Sequence, residues 1–205
     1  MTGSRRLPEL VGRLPKTRAA LEYAQRQHAG QRRTSDGAAF ITHPLDVGWL
    51  LYAAGLSDEV IAAGVLHDVL EKTVVTASEL RRRFGAPVAA LVEALTEDQT
   101  ISGYAARKAA LRQQVAAAGA EALLVFAADK VAKIAELRAV IARASRRGMR
   151  IDESLVPPRR LTHLRRCLGT LEDRLGDVPL VRQLRIELIA LGRELDSYRR
   201  APAAA

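Results

Sequence analysis

Apolar residues recur along most of this chain at helical spacing, not in the alternation of a half-buried strand. Ala20, Leu21, Ala24 and His28 share one face of a predicted helix over residues 16–29, which Gly30 ends. Residues 30–42 (GQRRTSDGAAFIT) read as a loop, because Ser-Asp-Gly is turn chemistry. Pro44 suits the first turn of a helix that runs to Ala54 and stops at Gly55. Ser57 is an N-cap, and Asp58 and Glu59 complement the dipole of a helix that continues to about Leu70. A capping box at Thr76 and Glu79 opens the next helix, closed by Gly85, and Pro87 starts another through about Leu95. Beyond a loop at 96–103, helices are predicted over 104–118 and 120–146, parted by Gly119. Residues 148–158 (GMRIDESLVPP) form a linker stopped by two prolines, and amphipathic helices over 159–175 and 179–198 close the pattern. There is no strand alternation and no internal repeat. The fold class expected is all-α, a bundle of about eight to ten helices.

This pattern divides the chain into a flexible N-terminus (1–15), a helical core (16–147), the linker (148–158), a C-terminal helical pair packed on the core (159–200) and a disordered tail, APAAA (201–205). With 205 residues, one domain is expected, large enough to bury a core without disulfides or a structural metal. Apolar residues are 48% of the chain but aromatics only 4%, so Ala, Leu and Val must build the interior, which suits helices. Cys167 is the single cysteine, which excludes an internal disulfide and a cysteine zinc cluster. No apolar run is long enough for a membrane span, and no signal peptide is evident, so the expected location is cytoplasmic.

The net charge of +9 raises the question of an anionic partner. All but five of the basic residues are arginines, dispersed in short runs without aromatics. That argues for ordinary helix surfaces and against a nucleic-acid stripe.

Candidate chemistry gathers at His43, just before Pro44; at the adjacent pair His67 and Asp68, inside an apolar helix; and at Asp129, within the apolar stretch LLVFAADKV. Two imidazoles and two carboxylates suit a manganese, iron, zinc or magnesium ion. Neighbours on a helix point about 100° apart, so His67 and Asp68 both ligate only if the metal sits in a notch between helices. A buried Asp129 needs a partner, which a metal, Lys130, Lys133 or a backbone N–H can supply.

The stretches AQRQHAGQRR, FITHPLDV, AAGVLHDVLEKT, FGAPVAALVEALTED and ADKVAKIAEL, in this order over about residues 20–145, resemble the HD-superfamily hydrolase domain of the RelA/SpoT proteins. By length the resemblance is to the stand-alone small alarmone hydrolases, the Mesh1-like group. It implies an HD-type helical core at 16–147 that removes the 3′-pyrophosphate from guanosine tetra- or pentaphosphate with one bound metal, usually Mn2+. Its metal ligands fall on His43, His67, Asp68 and Asp129. Its water-activating glutamate falls on Glu71, one turn beyond His67. Arg33 matches a base-proximal arginine, and Arg107 and Lys108 match a basic pair near the substrate phosphates.

The chain departs from that pattern at three places, the first being that the aromatic which follows a proline in the family is Phe40 here, after Ala38-Ala39. Where the family has Glu-Asp, this sequence has Glu71-Lys72, and Lys133 replaces an asparagine that faces the nucleotide. Lys72 either contacts a substrate phosphate as a point charge or neutralises Glu71 as a base. The first function expected is therefore a metal-dependent phosphohydrolase of a guanosine alarmone or related nucleotide, with Glu71 and Lys72 in the catalytic centre and Arg33, Arg107, Lys108 and Lys133 on the substrate. Two alternatives stand beside it: an HD phosphohydrolase of another phosphorylated metabolite, and a catalytically degenerate nucleotide sensor. Oligomeric state is not legible in the sequence.

Overall fold

A computed structural model describes Leu7 and residues 11–149 and 156–200. The tail at 201–205 and most of the expected linker therefore lie outside the described residues. Among the described residues, ten α-helices follow a short 3-10 turn at Val11–Arg13: α1 (Pro15–Gln27), α2 (Thr42–Ala53), α3 (Asp58–Leu66), α4 (Val69–Lys72), α5 (Ala77–Phe84), α6 (Ala86–Leu95), α7 (Tyr104–Ala118), α8 (Ala120–Arg146), α9 (Pro158–Leu175) and α10 (Pro179–Arg200). Extended pairing among them is limited to one isolated bridge between Arg32 and Ala39. The all-α expectation holds. No helix of the described residues is long and apolar enough to cross a membrane.

The 27 residues of α8 make the axis of the bundle, roughly 40 Å long. Its buried stripe, from Ala122 through Phe126 and Val131 to Ile141, receives α2 and α3 on one side and α7, α9 and α10 on others. Helix α10 lies along α8 and buries Leu184 and Leu191, while Arg138 of α8 is gripped by Glu187 and Glu194 of α10 at 2.5 and 2.6 Å. Helices α2 and α3 approach closely because Gly64 has no side chain: a Cβ there would stand 2.2 Å from Leu51 Cδ1.

Two features differ from the sequence expectation. Leu7 and Val11, inside the stretch expected to be flexible, are buried in the core. The helix expected to run from 57 to about 70 is instead interrupted by a turn at His67-Asp68, where both residues stay in the right-handed α region (Asp68 φ −94°, ψ −6°) before α4 begins. The apolar periodicity continues through the break, so nothing in the spacing marks it.

Candidate metal and active site

Three elements bring the ligand candidates together. His43 stands in the first turn of α2, anchored by its N–H on the Phe40 carbonyl at 3.0 Å. His67 and Asp68 occupy the turn between α3 and α4, and Asp129 projects from the middle of α8. His43, His67 and Asp129 each offer a donor atom within 4.8 Å of the others. His43 Nε2 lies 3.1 Å from Asp129 Oδ1 and 3.9 Å from Asp68 Oδ2; His67 Nε2 lies 3.3 Å from Asp68 Oδ2 and 3.7 Å from Asp129 Oδ1. Although neighbours on a helix point about 100° apart, Asp68 Oδ2 and His67 Nε2 meet at the turn between α3 and α4.

The donor chemistry fits a divalent cation. His67 Nδ1 bonds the Gly64 carbonyl at 2.7 Å, and His43 Nδ1 bonds Glu136 Oε1 at 2.7 Å. With each Nδ1 turned to an acceptor, each Nε2 faces the carboxylates, an arrangement that calls for positive charge, either a proton on the ring or a cation between the groups. The titration behaviour points the same way. Burial alone would depress the His67 ring, but Asp68 and Asp129 override it and raise its pKa to about 9. Burial opposes the charge of Asp129, yet Lys130 and the two histidines hold its carboxyl well below the usual range. Asp68 is lowered against its own burial, chiefly by His67.

The cluster forms part of the lining of a cavity of about 370 Å³. Of the other residues expected to act, Glu71, Lys72, Lys108 and Lys133 line this cavity. Glu71 accepts the Glu97 backbone N–H at 2.6 Å, and burial pushes its pKa up. Lys72 lies over the Phe40 ring, 5.4 Å from its centroid. Lys108 ion-pairs with Glu97 and sits 5.6 Å from the Tyr104 ring centroid. A second cavity, about 360 Å³, shares Lys72, Lys133 and Arg160 with the first and takes in Arg33 and Phe40. Arg33 lies outside the metal cavity, bidentate on Asp36 at 3.0 and 2.6 Å. Arg107 lines neither cavity. It holds Glu97 at 3.0 Å and donates to the Ile101 carbonyl at 3.2 Å.

Residues 20–154 match the HD domain family. This chain belongs to that family. The human guanosine-3′,5′-bis(diphosphate) 3′-pyrophosphohydrolase MESH1 is 37% identical to the HD protein over 121 residues, which are 58% of this chain and 67% of the human one. The GTP pyrophosphokinase of Streptomyces coelicolor is 36% identical over 122 residues, 58% of this chain but only 14% of that longer protein. A solved structure described as a metazoan orthologue of SpoT that hydrolyses ppGpp superposes with a TM-score of 0.69, covering 88% of this chain and 95% of that one. At 22% identity, that likeness speaks for a shared fold.

Sequence reasoning missed several residues of the HD site. Glu136 is buried beside His43, although its spacing from Asp129 (two helical turns, hence the same face of α8) was a readable signal. Lys130 pairs with Asp129 and rests 4.3 Å from the Phe126 ring centroid. Arg159, Arg160 and His163 of α9 line the metal cavity of the HD domain, a contribution that spacing within α9 alone does not reveal.

Proposed function

We propose that this HD domain is a metal-dependent phosphohydrolase of a phosphorylated nucleotide, with the 3′-diphosphate ester of a guanosine alarmone as the first substrate. The observation that carries the reading is the convergence of His43, His67 and Asp129 donors within 4.8 Å, beside the half-buried Glu71 and several ammonium groups. The activities for which the human MESH1 relative and the Aquifex aeolicus guanosine-3′,5′-bis(diphosphate) 3′-pyrophosphohydrolase are named, the latter 44% identical over 78 residues, support the substrate class.

His43, His67, Asp68 and Asp129 would hold one divalent cation, manganese being the expected ion. Such an ion, when bound, polarises a phosphoryl oxygen and lowers the pKa of a water. The protein supplies the rest. Glu71, raised by burial and steadied by the Glu97 amide, would take a proton from a water whose oxygen bonds to the phosphorus as the bond to the 3′ oxygen breaks, pyrophosphate being released and the 3′ oxygen taking a proton to leave as a hydroxyl. Lys72, Lys108 and Lys133 present ammonium groups to the anionic substrate. Lys72 lies over the Phe40 ring and lines both cavities, which supports the phosphate-binding role, while its charge, acting at a distance, lowers Glu71 less than burial raises it.

The test is release of pyrophosphate and orthophosphate from a panel of phosphorylated nucleotides with Mn2+ present, alongside metal analysis of the protein. Pyrophosphate from guanosine tetraphosphate supports the reading in full. Orthophosphate from a different nucleotide keeps the hydrolase and changes the substrate. Silence across the panel from protein that holds its metal overturns hydrolysis in favour of nucleotide sensing. Unchanged metal content in His67→Ala overturns the four-ligand site.

A further inference from the structure

The His43 ring is clamped between two carboxylates of one helix. Asp129 Oδ1 lies 3.1 Å from Nε2, and Glu136 Oε1 lies 2.7 Å from Nδ1. Seven residues of α-helix make almost two whole turns, so Asp129 and Glu136 share a face of α8 and meet the imidazole from opposite ends. Glu136 is only 6% exposed. A buried carboxylate is costly unless cations and donors surround it, and here they come from three elements. His43 of α2 donates to Oε1, Arg33 of the 28–41 loop approaches the same oxygen at 3.3 Å, and Lys133 of α8 stands 3.7 Å from Oε2. Oε2 is buried without a hydrogen bond, so the carboxylate commits its hydrogen bonding to the His43 side.

We infer that Glu136 is a positioning residue. It keeps the His43 proton on Nδ1, aims Nε2 at the cation, and ties that ligand to Arg33, which lines the second cavity. The inference rests on the metal reading above but adds a residue to it. An imidazole is a ligand only through its unprotonated nitrogen, and the partner of the other nitrogen decides which one that is. Without Glu136, His43 is free to carry its proton on Nε2 and to turn, and a ligand is lost for part of the time. Arg33 would keep Asp36 but lose its link to the His43 side.

The experiment compares wild type, Glu136→Ala and Glu136→Gln. Mn2+ affinity is measured by titration calorimetry. The His43 tautomer is read from long-range 1H–15N spectra of the metal-free proteins at alkaline pH, where the rings are neutral. Circular dichroism confirms that each variant is folded. Glu136→Ala is expected to weaken Mn2+ binding by roughly 10–100-fold and to move His43 away from the pure Nδ1–H form. Glu136→Gln keeps an acceptor oxygen and is expected to fall between. Wild-type affinity in a folded Glu136→Ala, or an unchanged Nδ1–H signal, overturns the inference. A wild type that takes up no divalent cation overturns the metal reading, and the tautomer spectra still decide the role of Glu136.

Discussion

Glu71 accepts the backbone N–H of Glu97 at 2.6 Å, and the Glu97 carboxylate is itself held by Arg107 and Lys108. The proposed base is thus oriented by the chain that follows α6, and that chain is pinned by the start of α7. Arg107 acts on the site through this relay, although it lines no cavity.

Glu71→Gln keeps the shape and the hydrogen bond but removes the proton acceptor. It is expected to lower kcat by about 100–10,000-fold while leaving Mn2+ affinity within twofold or so of wild type. Phosphate-release kinetics and calorimetry on the same preparation check this. Loss of Mn2+ binding together with activity would assign Glu71 to the metal instead.

Lys72→Met removes the ammonium group that lines both cavities. The expected outcome is a KM about 5–10-fold higher for a phosphorylated nucleotide, near 1 kcal/mol of binding, with kcat little changed. A rise in kcat would mean that the lysine quenches Glu71.

His163, on the α9 wall of the same cavity, offers a pH test on a residue that is not among the proposed ligands. Its ring accepts a hydrogen bond from Arg112 at 3.1 Å, and burial first, then Lys130, Lys108 and Arg112, depress its pKa to about 3. Between that value and the unfolded value of 6.5 the unfolded chain binds a proton that the native ring refuses. This contribution to stability is complete above about pH 6.5 and is lost as pH falls towards 3. His163→Gln should therefore lose less stability than wild type on going from neutral to mildly acidic pH, the difference being up to about 2 kcal/mol by urea melts. Equal losses would mean that the ring is not held neutral.

Gly64→Ala drives a methyl group into Leu51 and, at 3.3 Å, Val47 Cγ1. Separating α2 from α3 should cost about 1–3 kcal/mol in a thermal or urea melt. Because Gly64 also supplies the carbonyl that holds His67, Mn2+ affinity should fall with stability. A variant of wild-type stability would show that the two helices yield without strain.

How much of this was legible follows from the kind of signal each part leaves. Helices α7 and α8 were readable to the residue because glycines bracket them, and Gly119, at φ +99°, takes a conformation that side chains rarely adopt. His43, His67, Asp68 and Asp129 stood out as polar residues in apolar surroundings, and the fold brings them together. The break at His67-Asp68 was hidden, because the residues around it keep helical periodicity while the local geometry serves the site. Glu136 was hidden for a related reason: a glutamate on a long helix is ordinarily solvated, and only the packing of α2 and the 28–41 loop over it makes it a buried partner. The walls given by α9 depend on tertiary docking, which no local pattern encodes.

One helix start also constrains how the bundle can assemble. The first turn of α1 has no cap of its own. Its Lys16 and Thr17 amides donate, each at 2.8 Å, to the Asp58 carboxylate, which opens α3. A single side chain thereby serves the positive ends of two helices. Pro15 suits a helix start, but two of the free amides that follow it find their acceptor only when α3 is docked. The pair should then gain and lose amide-exchange protection as one cooperative unit. The 28–41 segment joins α1 to α2, so the proposed ligand His43 should be steadied at one remove by an aspartate outside the site.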